Sequence, residues 1–146
     1  MTIKERQKQL RIVAEMLGVH LPACLNDQEL TRDLLCIVGV AIRAAEADAE
    51  QSAAAWDKRA YHLKADDLRR QWAWAAGAAN YATGLANRPQ AVTARDLEKL
   101  QSLVGVELEV PKRLQFPQPT AFRGAWEANR QRERREKRRV PKRSLV

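Results

Sequence analysis

From Val40 to Ala76 the chain contains neither glycine nor proline, and Ala44 to Ala55 is composed almost entirely of strong helix formers. Nothing in that stretch frees φ or removes a backbone donor, so helix is its local default. One helix from Asp27 to Leu85 would reach about 88 Å at ~1.5 Å per residue, too long for a compact domain. A break near Ala47–Ala53 is therefore expected, with one long helix shared between neighbouring subunits as the alternative.

Thr2 to Leu17 carries Ile3, Leu10, Val13, Ala14 and Leu17 on helical spacing, which predicts a first helix ended by Gly18 at its C′ position. His20-Leu21-Pro22 reads as connector, with His20 a loop residue. Asn26 and Glu29 have the capping-box offset and open the most apolar run, Leu30, Leu34, Leu35, Ile37, Val38, Ala41, Ile42 and Ala45, the expected central core helix. Thr93-Ala94-Arg95-Asp96 supplies an N-cap for a short amphipathic helix through Leu97, Leu100, Leu103 and Val104, closing at Gly105. Val106 to Phe122 contains Pro111, Pro117 and Pro119 and should run extended. With 146 residues, one domain is the expectation. It is an all-α bundle of about four to five helices over 1–105, an extended segment over 106–122 and a basic tail over 123–146.

Between Ala53 and Leu85 an angular count at ~100° per residue, with Trp56 at zero, places Ala60, Leu63, Trp74, Ala78, Tyr81 and Leu85 within roughly 40° of it. Tyr61, Ala65, Leu68, Trp72, Ala75 and Ala79 form a second apolar stripe elsewhere on the same helix. Two apolar faces imply two neighbours, so this helix is either sandwiched in a bundle or packs one face on another chain.

Charge is strongly segregated. The chain holds 26 Lys+Arg against 18 Asp+Glu, yet residues 1–122 are close to balance, with 16 basic and 15 acidic side chains. Residues 123–146 hold ten basic and three acidic side chains. Gln131 to Arg139 has helix-forming composition without an apolar face, so it should be disordered alone and ordered by a partner. Cations at this density repel one another unless an anion neutralises them, which points to a polyanion gripped through its phosphates.

Catalytic chemistry finds little support. The chain has no phosphate-cradling glycine loop, no nucleophile elbow and no metal-spaced cluster of cysteine or histidine. His62 and Asp66 are i,i+4 neighbours, which as chemistry would be a base with its orienting carboxylate and as structure is an exposed helix-face pair, the reading preferred here. Cys24 and Cys36, without CxxC partners, read as reduced, buried thiols. Trp56, Trp72 and Trp74 read as packing or subunit-contact anchors. Trp126, inside the basic arm, is the candidate for stacking on bases. No segment approaches the ~20 apolar residues of a membrane span, and MTIKERQKQL reaches no apolar core of a signal peptide. A non-enzymatic cytoplasmic chain with no cofactor, no metal and no membrane contact is expected.

The candidate nucleic-acid-binding residues are Lys58, Arg59, Lys64, Arg69 and Arg70 in the aromatic region, and Arg123, Arg130, Arg132, Arg134, Arg135, Lys137, Arg138, Arg139, Lys142 and Arg143 in the arm. Asp57, Asp66 and Asp67 offer the first group an alternative life as a solvated, balanced face.

The stretch from Ala53-Ala54-Ala55-Trp56-Asp57-Lys58-Arg59 through Arg69-Arg70-Gln71-Trp72-Ala73-Trp74, in an alanine-rich helical chain of this size, resembles the small helical subunits of CRISPR effector ribonucleoprotein complexes. The resemblance implies a role in antiviral defence. It also implies partners that are other protein subunits, copies of this chain among them, and RNA or single-stranded DNA held by backbone contacts without sequence preference. A protein–protein adaptor with a basic arm, or an assembly protein of a phage, plasmid or ribosome, is the alternative. Every one of these readings requires an arm whose positive charge is not neutralised by the trunk's own carboxylates.

Overall fold

The structure, a computed structural model, describes residues 2–139. Helix α1 (Thr2–Glu15) runs through a π-turn (Met16–His20) into the single turn α2 (Leu21–Ala23), and α3 (Gln28–Lys58), α4 (His62–Gln71), α5 (Ala75–Asn87) and α6 (Ala94–Leu103) follow. A 3₁₀ turn (Pro119–Phe122) leads into α7 (Ala125–Arg139). No strand occurs among the described residues, and the chain is a small all-α bundle.

Helix α3 is its axle. Leu30, Leu34, Leu35, Val38, Ala41, Ile42, Ala45, Ala49 and Ala53 recur on helical spacing and are all buried, each large aliphatic side chain contributing about 1.5–3 kcal/mol by leaving water. Helices α1 and α5 pack against it, α4 joins them and α7 lies alongside, while α6 rests on α5. The α5 face is alanine, with Ala75, Ala78, Ala79, Ala82 and Ala86 buried, so short side chains set a close approach between the axes.

The long helix breaks later than expected. It passes through Ala47–Ala53 without interruption and ends at Lys58, where Ala60 adopts φ +66°. The Tyr61 N–H donates to the Trp56 carbonyl at 2.8 Å and the Ala60 N–H to that of Asp57 at 2.9 Å. These two bonds are a Schellman motif built on alanine instead of glycine. A second corner at Trp72–Trp74, where the two indoles stack with centroids 5.3 Å apart, separates α4 from α5.

The two stripes counted along one helix therefore lie on three helices. Ala65, Leu68, Trp72, Ala75 and Ala79 are core. Leu63, however, is 82% exposed and Tyr61 53% exposed, because the corner at Ala60 rotates them away from the trunk.

Three N-terminal expectations also change. Gly18 does not end α1; it sits in the π-turn, where a Cβ would lie 2.5 Å from Val110 Cγ2, so glycine is needed for close packing. The N-cap of α3 is Asp27, not Asn26, and its side chain accepts the Leu30 N–H at 3.1 Å. His20 is no loop residue. It is 5% exposed and shares a hydrogen bond with fully buried Glu15, Nε2 to Oε2 at 2.8 Å.

In a regular α-helix residues five apart diverge by about 140°, and the wider π-turn brings Glu15 and His20 to one side. The same carboxylate accepts the backbone N–H groups of Gln115 at 2.7 Å and Phe116 at 2.8 Å. That contact pins the proline-containing segment, which carries no regular element from 104 to 118, across the trunk. Thr93 and Asp96 form the expected cap of α6, as a reciprocal capping box. Cys24 and Cys36 are buried free thiols, as expected.

Candidate nucleic-acid interface

The basic arm is folded at its root. Gly124, at φ +92°, turns the chain out of the 3₁₀ turn into α7, a conformation for which glycine is the residue of least cost. The Asp33 carboxylate, buried in α3, accepts the Gly124 N–H at 3.1 Å and the Trp126 N–H at 2.9 Å. It therefore caps the first turn of α7 from another helix and complements its dipole. The Arg123 guanidinium donates to Asp27, and that bond holds the Asp27 carboxyl below its usual range.

Trp126 does not stand free in the arm. It is half-buried, and its Nε1–H donates to Asn87 Oδ1 at 2.8 Å. The guanidinium carbons of Arg32 and Arg130 lie over the ring, 5.7 and 4.9 Å from its centroid.

Beyond this root, Gln131 to Arg138 are all exposed in a continuous helix, where disorder without a partner was expected. Ala125, Ala128, Asn129 and Arg132 face the trunk, lining a groove with Cys36, Ile37 and Val40 of α3. With Ala125 at zero and ~100° per residue, Lys137, Arg130, Arg134 and Arg138 fall at about 120°, 140°, 180° and 220°, the half turned from the trunk, and Arg135 at about 280°, on the flank of that half beside Ala128. Glu133 and Glu136 fall at about 80° and 20°, on the trunk side, and only Glu127 near the root joins the outer half. Arg132 donates to Asn129, whose Nδ2 reaches Glu133 at 3.2 Å.

Among the described residues Arg130, Arg134, Arg135, Lys137 and Arg138 make no ion pair, whereas Arg123 does. Arg139 ends the helix, and Lys142 and Arg143 lie outside the described residues.

The second set of candidate cations lies at the corner between α3 and α4 and divides in two. Arg69 is held by Glu50 at 3.0 Å, Asp57 at 2.9 Å and Asp66 at 3.7 Å, with Glu50 and Asp57 driving its pKa upward. It ties α4 back onto α3. Arg70 pairs with Asp67. His62 takes Asp57 as its partner, Nδ1 to Oδ1 at 2.9 Å, rather than Asp66. Lys58, Arg59 and Lys64 are exposed, and the Lys64 ammonium lies 5.5 Å from the Tyr61 ring centroid.

The anchors of the arm, Asp33, Asp27, Asn87 and Arg32, were not found by reasoning from sequence. Asp33 carried the one usable signal, a carboxylate three residues after Leu30 and four before Ile37, on helical spacing with apolar positions of α3. No group of His, Cys, Asp and Glu that would hold a metal occurs among the described residues, and no described helix is long and apolar enough to cross a membrane. No family model, curated protein or solved structure matches the chain.

Proposed function

We propose that this chain is a non-catalytic nucleic-acid-binding subunit of a larger ribonucleoprotein, gripping phosphates through the outer half of α7 without reading sequence. The observation that carries the reading is the contrast within the arm: its root is locked to the trunk by Asp33, Asp27 and Asn87, while five cations beyond it have no carboxylate partner among the described residues. Arg130, Arg134 and Arg138 follow one another at i,i+4 and Lys137 sits three residues from Arg134, so the helix repels itself by about 0.2–0.5 kcal/mol per neighbouring pair. A row of phosphates removes that cost and gains charge-assisted hydrogen bonds. Lys58, Arg59 and Lys64, exposed at the other corner, are a second contact for the same polyanion, whereas Arg69 and Arg70 are engaged within the fold. The assembly resembling a CRISPR effector complex belongs to the same proposal, supported by the all-helical trunk.

The test is binding to a fluorescent oligonucleotide at several salt concentrations. The five cations of α7 alone contribute between about −3.5 for a single strand and −4.5 for B-form DNA to the slope of log K against log salt. Changing Arg134, Arg135, Lys137 and Arg138 together to Gln should flatten it by about 2.8 on a single strand and about 3.6 on B-form DNA. A slope unaffected by those changes defeats the reading, and an association that survives nuclease and requires an acidic protein favours the adaptor instead.

A further inference from the structure

We infer that the phosphates gripped by α7 belong to a double helix of B-form DNA, with α7 lying in its major groove; this rests on the reading of α7 as a phosphate-binding element. Three observations carry the inference.

The cations do not form a stripe. From Lys137 to Arg135 they cover an arc of about 160° around the axis, with Arg134 near its middle. A single strand follows one line along a helix and meets a narrow row. Two phosphate rows flanking the helix require cations on both sides, and Lys137 and Arg135 stand on opposite flanks.

The outer side of the helix is also clear of the trunk from Gln131 onward, while Arg132 faces the groove against α3. Gln131 to Arg138 are exposed, a rod about 12 Å long at ~1.5 Å per residue and about 10–12 Å across with side chains. The B-form major groove, about 12 Å wide, admits such a rod, and the narrow, deep major groove of A-form RNA does not.

The aromatic rings on and beside α7 that would grip a single strand there are committed elsewhere. Binding of single strands combines a cationic track with rings on which bases stack. Trp126, the one aromatic residue in α7, is held by Asn87, Arg32 and Arg130. Phe116 and Phe122, on the approach to α7, pack edge to face with centroids 5.0 Å apart. Trp72 and Trp74 stack on each other. Among the described residues no free platform lies on α7 or its approach, and the exposed ring of Tyr61 sits at the other corner, between α3 and α4.

The experiment compares the full chain on a DNA duplex of about 20 base pairs, an RNA duplex of the same sequence and the single strands of each, at one salt concentration. Methyl green serves as competitor for the major groove and netropsin for the minor groove. The DNA duplex should bind about tenfold or more tighter than the other three forms, with displacement by methyl green and not by netropsin. Lys137→Gln and Arg135→Gln should each lower duplex affinity comparably and flatten the salt slope by about one, because the flanks meet separate strands. Equal or tighter binding to a single strand, displacement by netropsin, or sensitivity to only one flank overturns the inference while leaving phosphate binding in place. Failure of all four nucleic acids to bind overturns phosphate binding itself.

Discussion

The Asp33 carboxylate on α3 accepts the backbone N–H of Trp126 at 2.9 Å, so a residue of the core helix, 6% exposed, forms the N-terminal cap of the basic arm. The arm's direction is therefore fixed by the trunk, and its cations are presented rather than trailed. Asp33→Ala leaves two N–H donors at the root of α7 without their acceptor and should cost about 1–3 kcal/mol. Limited proteolysis should then cleave within α7 before the trunk, and Asp33→Asn, which keeps an acceptor, should protect it partly. An arm equally resistant in wild type and Asp33→Ala would show that this cap does not hold it.

At the corner between α3 and α4, Ala60 occupies a left-handed conformation in which a Cβ is disfavoured. Ala60→Gly removes that strain and keeps both Schellman hydrogen bonds, so stability should rise by about 0.5–1 kcal/mol despite the greater freedom of glycine in the unfolded chain. Thermal unfolding followed by circular dichroism reads the gain as a higher midpoint. A lower midpoint would mean that the corner is not strained.

Burial on its own pushes the Glu15 carboxyl up; the hydrogen bond with His20 and the N–H groups of Gln115 and Phe116 outweigh it and hold the group below the usual carboxylate range. A carboxyl lowered in the folded state contributes stability that is fully present above its unfolded pKa and is lost as pH falls through the folded value. Acid should therefore destabilise the protein below the ordinary glutamate range, and the 104–118 segment should loosen first. Glu15→Gln should be less stable at neutral pH and lose much of this acid dependence, as followed by denaturant unfolding at several pH values. An unchanged acid limb would assign it to other carboxylates.

Arg134 sits between Arg130 and Arg138 at i,i+4 spacing. Arg134→Glu turns both repulsions into attractions, so the amides of α7 should exchange hydrogen several-fold more slowly as each pair gains about 0.4–1 kcal/mol. Under the proposed function, nucleic-acid affinity should fall in the same variant. Slower exchange with undiminished affinity would remove the outer face of α7 from the binding reaction.

The amino-acid order alone determined the helical class, the apolar face of α3, the cap at Thr93, the irregular run around Pro111 and Pro117 and the concentration of charge after residue 122, whereas Pro119, expected in that run, opens a 3₁₀ turn. Each depends on neighbours within a turn or two, where periodicity, capping and φ restriction act directly. What depends on distant partners was decided only in three dimensions. Ala60 takes a conformation its side chain disfavours because the packing of α4 on α3 requires a corner there. Glu15 and His20 meet only because a π-turn intervenes, and they hold backbone about a hundred positions away. Arg69 became a clasp between helices because Glu50 and Asp57 happen to face it. Within the described part of the arm, Ala125–Arg139 is an oriented helix because Asp33, buried away from water, finds its hydrogen-bond donors in residues 124 and 126. A count of charges says where positive potential is stored, and tertiary contacts decide which of those charges remain without a partner.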